Sequence, residues 1–374
     1  VDTSISHSQI TISYTYTTRD TQVVDIPSYL RTKYTRKGEV LIGLLLYAEG
    51  SGIVSGKDNI GNTYTGTIEQ QYVIIDGRER LSYSKEIKDI HGTDGWSKTV
   101  TTEWWAGDGS NTPESAVASY DKYGRNIRYH QVAEENGDGI LTPYDQKTTV
   151  DWEATGYNRQ GFLKGYRQEV RTLTKDIFGE ILLDHTASIT RSDMEYYWSV
   201  EREFHPIGYL KSYKEVVTSS DAPGKTTTQK VSQLTYNSKG WITHSSTEVK
   251  EEGAGLNHTY TVETTVTEFN KYGQVLKRKE VITNDNACPN KTVTRKSISN
   301  MQYDSQGRLI YSKDNIREKG SFIEIITKTI PGSGCSGPRT VTEEVVRELD
   351  HTYDIETIVT SYNPLDQVLR QTQI

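Results

Sequence analysis

The 374-residue sequence predicts an all-β protein, an elongated array of long antiparallel β-hairpins with very little helix. Three observations lead there. The composition is rich in Thr and Tyr and poor in aliphatic residues, a short turn phrase recurs along the chain, and strand-forming segments flank the phrase.

Hydrophobic residues make up 33% of the chain and mean hydropathy is −0.68, against roughly 45–50% apolar residues in an ordinary globular domain. A large compact core is not expected. A chain of this length suits either a few ordinary domains or units that pack only on their neighbours, and this composition favours the second. In place of aliphatic residues stand 47 Thr and 25 Tyr, which fit a pleated, half-wet surface. No stretch of helical length shows helical periodicity free of Gly, Pro or β-branched runs. The net charge of −7 is interleaved along the strands instead of gathered in basic blocks, which argues against nucleic-acid binding. The most apolar run, Val40 to Tyr47, is far shorter than the ~20 residues of a membrane-spanning helix, so no membrane insertion is expected. It reads as one buried strand. The chain begins at Val1 without Met or a signal peptide, and so reads as a processed form or a piece of something longer.

The recurring phrase is an aromatic residue, a polar turn, a glycine and an alternating strand. Clear copies run Tyr120 to Gly124, Tyr157 to Gly161, Tyr236 to Gly240, Phe269 to Gly273 and Tyr303 to Gly307, with weaker copies at Tyr34 to Gly38, Phe204 to Gly208 and Tyr362 to Asp366. From Gly208 onward the glycines fall 32, 33 and 34 residues apart. Asn or Asp caps a tight turn with its own side chain, and Gly supplies the positive φ of a short hairpin connection. Flanking segments such as 261–268 and 274–282 carry strand formers with rough alternation. Gly- and Pro-rich polar loops, such as 219–224, 251–256, 284–290 and 331–337, join the far ends.

Tyr303-Asp-Ser-Gln-Gly-Arg-Leu309 resembles the signature of the tyrosine-aspartate (YD, or RHS-type) repeat family. The resemblance covers residues 116–374 well and residues 1–115 loosely. It implies hairpins stacked side by side in a long sheet, at a cell surface or outside the cell, as in bacterial surface proteins, toxin-enclosing shells and animal adhesion proteins. Repeat spacing here is longer than is usual in the family, Asp366 stands where the last Gly would be, and no toxin motif follows. Residues 1–115, with the apolar run and Trp104-Trp105, read as a β region that caps the array or serves assembly, ahead of a repeat array over 116–374.

No catalytic constellation is visible. The His residues are scattered without zinc-helix spacing, and neither a nucleophile elbow nor a phosphate loop occurs, so the chain is read as not an enzyme and without a cofactor. Calcium is the exception to weigh. Glu134, Asn136, Asp138 and Asp145 fall at positions 1, 3, 5 and 12 of an EF-hand-like loop, with Ile140 offering its carbonyl at 7, although no helices flank them. The bland alternative is an acidic hairpin loop turning on Asp-Gly. Cys288 and Cys335, the only cysteines, sit in loops at the same predicted sheet edge and are candidates for a disulfide, which would imply an oxidising compartment. Two sequons, Asn257-His-Thr259 and Asn290-Lys-Thr292, fall in predicted loops.

The function expected is therefore a structural subunit or segment of an extracellular or cell-surface fibre or filament that pairs with copies of itself through sheet edges. The N-terminal strand with Ile10, Ile12, Tyr14 and Tyr16 is the candidate assembly strand, and the C-terminal strand 366–374 is the edge to meet it; the alternative is that the N-terminal strand pairs within its own chain. A surface adhesin that binds glycans or host proteins through exposed aromatics is the alternative. A shell wall around a toxin cargo is the third reading and would need a longer chain.

Overall fold

The computed structural model describes residues 5–57, 62–92, 97–137, 144–176, 178–198, 208–253, 255–288, 291–304, 308–330, 339–362 and 368–374. They form an all-β array of antiparallel hairpins with two short helices among the described residues. None of these is long and apolar enough to cross a membrane.

The chain divides into two compact units, Val1–Ser192 with Val217–Pro223, and Asp193–Val216 with Gly224–Ile374. The first contains β1 (Ile5–Tyr16), α1 (Ser28–Tyr34), the two-residue strands β2 (Thr35–Arg36) and β3 (Glu39–Val40), β4 (Leu45–Lys57), β5 (Thr63–Ile75), β6 (Arg78–His91), β7 (Ser97–Ala106), α2 (Pro113–Ala118), β8 (Arg128–Gly137), β9 (Tyr144–Tyr157), β10 (Leu163–Asp176) and most of β11 (Ile181–Tyr196). From β4 onward each strand pairs antiparallel with its successor in sequence. The exception is β1, which pairs with β4 across the intervening α1 and β2–β3 hairpin.

The second unit holds most of β12 (Leu210–Ser219), then β13 (Thr226–Tyr236), β14 (Ile242–Gly253), β15 (Leu256–Phe269), β16 (Val275–Cys288), β17 (Lys291–Tyr303), β18 (Leu309–Ile330), β19 (Arg339–Tyr362) and β20 (Val368–Gln373). From β13 to β20 the strands again pair in sequence order. The 22-residue β18 and 24-residue β19 form a hairpin longer than its neighbours, and β20 pairs with only Thr357 to Tyr362 of β19.

Most strand residues are half-buried or exposed, as the composition requires, and the fully buried apolar residues concentrate where the two helices pack. Leu30 and Tyr34, one helical turn apart on α1, share a face and are buried with Ile26, Leu46 and Ile74. The helix α2 starts where Thr112 caps it, accepting a hydrogen bond from the Ser115 N–H, with Pro113 in the first turn. It buries Ala116 against Val73 and Ala106. Tyr120, which opens the first clear phrase, packs on this same cluster.

Three sequence readings are corrected here. The run Val40 to Tyr47 is not one strand: β3 ends at Val40, Gly43 turns the chain with φ +82, and β4 begins at Leu45. Leu41 and Ile42 are left exposed while Leu44 and Leu45 pack on the α1 cluster, because a turn lets an apolar run cover a helix that a straight strand would pass by. The Tyr34 phrase is not an array turn either. Tyr34 closes α1, and Lys37-Gly38 is the tight turn between β2 and β3, both residues at positive φ. Residues 284–288, read as loop, continue strand β16.

Leu30 lies 2% exposed in the α1 cluster. Leu30→Ala should therefore cost about 2–5 kcal/mol of stability in urea unfolding of the full chain, whereas Ile53→Ala, at a residue 60% exposed on β4, should change it by no more than about 0.5 kcal/mol.

Candidate functional site

Four copies of the recurring phrase build the same turn. At Asp121, Asn158, Asn237 and Asn270 the side-chain oxygen Oδ1 accepts the N–H groups two and four residues later, at 2.8–3.1 Å. The main-chain carbonyl of the same residue accepts the N–H of Gly124, Gly161, Gly240 or Gly273, and each of these glycines has positive φ. Asp and Asn are chosen because their side chains are short enough to reach their own backbone two residues on. Around Gly307, which lies outside the described residues, Asp304 takes the Arg308 N–H at 2.9 Å and its guanidinium at 2.8 Å. Gly208, with φ +89, donates its N–H to the Tyr197 carbonyl.

The leading aromatic ties each turn to the one before it. The Tyr157 hydroxyl donates to the Asn126 carbonyl, that of Tyr236 to Leu210 at 2.8 Å and that of Tyr303 to Val275 at 3.0 Å. Asn126, Leu210 and Val275 each lie two residues past the preceding turn glycine, Gly124, Gly208 and Gly273. Tyr120 makes the corresponding bond to Leu81 on β6 at 2.6 Å. Phe269 has no hydroxyl and relies on ring packing against Trp241, centroid to centroid 5.2 Å.

A second contact in the same place was missed at the level of sequence. After Gly124, Gly208 and Gly240 the next residue lies against the following aromatic: the Arg125 guanidinium is 4.3 Å from the Tyr157 ring centroid, Tyr209 meets Tyr236 edge-on at 4.9 Å, and Trp241 packs on Phe269. It also underlies the next glycine. A Cβ at Gly240 would stand 2.5 Å from the Tyr209 hydroxyl, and one at Gly273 would stand 2.8 Å from the Trp241 ring. These glycines are needed twice, for positive φ and for the approach. The signal was available, since aligned phrases place Arg125, Tyr209 and Trp241 in the column after Gly. Also missed was a turn at the far ends of β10 and β11, where Asp176 Oδ1 takes the Phe178 and Glu180 N–H groups, because Lys175 stands where the aromatic would be.

Of the calcium candidates, Glu134, Asn136 and Asp145 are described, while Asp138 and Ile140 lie outside the described residues. Glu134 and Asn136 are on the extended strand β8 with Asp145 opposite Asn136 on β9, and Glu134 is engaged by Lys147 at 2.8 Å. Asn136 and Asp145 also line an open polar cleft of about 420 Å³ with Asp89, His91 and Thr99. Among the described residues no group of three or more His, Cys, Asp or Glu is placed to hold a metal ion. Cys288 ends β16 opposite Lys291, and Cys335 lies outside the described residues. Residues 323–330 continue β18 beyond Phe322, the partner of Lys291, so the strand end before Cys335 is about 26 Å past the level of Cys288. Asn257 is exposed where β15 begins, and Asn290 lies outside the described residues.

Ile10, Ile12, Tyr14 and Tyr16 share one face of β1 and are 37–50% exposed. Every described side chain of this strand, from Ser6 to Tyr16, is exposed, and the register holding it is that with β4, where Gly50, Gly52 and Ala48 stand opposite Ile12, Ile10 and Tyr14. A ladder of half-buried rings crosses the first unit: Trp104 and Tyr129 at 5.9 Å, Tyr129 and Trp152 stacked at 5.1 Å, Trp152 and Tyr166 at 6.2 Å, with Arg191 over Tyr166. Compared with family models, with curated proteins and with solved structures, the chain matches none.

Tyr236→Phe should cost about 0.5–1.5 kcal/mol, the net worth of a hydrogen bond, and Gly273→Ala more than about 1 kcal/mol in the same denaturant titration, since it adds backbone strain to a clash. Burial pushes the Tyr236 phenol up to about 12, with Tyr197, Tyr213 and Tyr209 adding to the rise, and burial together with the Glu103 hydrogen bond pushes Tyr83 up to about 12. Both are raised above the ordinary value of 10.0, so their stabilising contribution is complete below pH ~10 and is lost as pH climbs to about 12. Ultraviolet titration should show phenols ionising late, in step with a fall in stability over that window.

Proposed function

We propose that this chain is a non-enzymatic structural module of an extracellular or cell-surface assembly, joined to further copies of itself through the edges of its sheets. The observation that carries this reading is β1, a 12-residue strand exposed on both faces and without Lys, Arg, Asp, Glu or Pro. Edge strands that stay single are commonly defended by such residues, by bulges or by a covering element, and the register shift of β1 against β4 falls only at its end, between Thr15 and Tyr16. The repeated turn and its clamp add support, because they extend a sheet hairpin by hairpin with little core, as in the tyrosine-aspartate repeats that the phrases resemble. The extracellular location rests on that resemblance.

A glycan-binding adhesin would need ring faces turned to solvent. The ladder from Trp104 to Tyr166 packs its rings on one another, Tyr129 and Trp152 at an interplanar angle of 18°, so the faces there are occupied by cross-strand packing. Self-association is the better-supported role.

Sedimentation velocity across a concentration series, with electron microscopy of the same samples, tests it. Concentration-dependent growth into dimers or longer polymers is the expected result. A chain that stays monomeric at every concentration refutes the reading.

A further inference from the structure

The assembly reading leaves open which edge meets which, and the distribution of charge separates the choices. Along β19 the stretch Thr340 to Ile355, which β20 does not cover, carries Glu343, Glu344, Arg347, Glu348, Asp350 and Asp354. Several of these are engaged by β18: Lys328 with Glu343, Arg347 with Glu324, and Arg317 and Lys319 with Asp350. Docking β1 there would set its Ile and Tyr side chains beside carboxylates and guanidinium groups. The remaining C-terminal strand, β20, has six residues and carries Arg370.

The pattern of β1 complements itself. Antiparallel pairing of two copies with Ser13 opposite Ser13 puts Ile10 opposite Tyr16, Ile12 opposite Tyr14, and Thr11 opposite Thr15. Directly opposed residues in an antiparallel pair point to the same face, so all four Ile and Tyr side chains of each copy join one apolar stripe and the hydroxyls meet on the other face. Shifting the register by two residues either way leaves one of these four side chains of each copy opposite Ser8 or Thr18. Beyond Tyr16 the strand is stopped by Thr17, which is buried and bonded through its main chain and Oγ1 to Gly43 and Leu44, so the match fits the stretch that is free to pair.

We propose that β1 pairs with β1 of a second copy, antiparallel about a two-fold axis at Ser13, to make one sheet continuous through both copies. This rests on the assembly reading and commits it to an isologous contact that closes on itself, so any polymer must be built from such dimers through another surface.

The test uses the full chain carrying Ser13→Cys. Mild oxidation should give a covalent dimer whose peptide map joins residue 13 to residue 13, which distinguishes it from links through Cys288 or Cys335. Thr11→Cys should give no link between its own copies, and the double variant Thr11→Cys/Thr15→Cys should join 11 to 15. Ile12→Lys should weaken the dimer about tenfold or more in sedimentation, with circular dichroism unchanged. A wild-type chain that remains monomeric overturns both this pairing and the assembly reading. Assembly that persists in Ile12→Lys, with no link between the two residues 13, overturns this pairing alone.

Discussion

Three hairpins of the array, those opening at Tyr157, Tyr236 and Tyr303, are tied to an earlier turn by a phenol hydroxyl that donates to a main-chain carbonyl two residues past that turn's glycine. A sheet with so few buried aliphatic residues has little else to hold successive turns in register. The tie gathers several small terms in one place: a hydrogen bond, a ring contact from the residue after the glycine, and a glycine that lets the ring approach. Each is modest alone. Repeated down the chain, they make neighbour packing sufficient where a central core is missing.

The same economy explains the chemistry that is present. Polar residues pair across strands and charges find partners in the adjacent strand, as in the Lys313, Asp354 and Glu356 group and the Arg171–Asp184 pair. These ion pairs are exposed, so each is worth little in water. Charged pairs also line the long β18–β19 hairpin, and charge of this kind is a common feature of sheet edges that stay single. Against that background the uncharged β1 stands apart, and its exposure is the feature from which the assembly proposal grows.

The helices show a different solution. Where α1 and α2 lie on the sheet, buried Ile, Leu, Val and Ala appear, and the strand ends Leu46, Val73, Ile74 and Ala106 become core. Tyr120 belongs to both systems, since it packs on the α2 cluster while its hydroxyl reaches β6. The repeat thus begins directly on the helix-covered strands.

The all-β class and the array turns at Gly124, Gly161, Gly240 and Gly273 were determined by the sequence alone, because Thr and Tyr alternation and an Asx-to-Gly turn are local properties of a few neighbouring residues. The two helices were too short to leave a periodic signature, and the break at Gly43 was hidden inside an apolar run. What only the tertiary structure decided were the contacts between residues some thirty positions apart: which carbonyl each tyrosine takes, which side chain lies beneath each glycine, and that β1 pairs with β4 across a helix. Those contacts depend on strand register, which accumulates over a whole hairpin; the column after each turn glycine hints at the side chain beneath the next one, but no short segment says which carbonyl or which strand it meets.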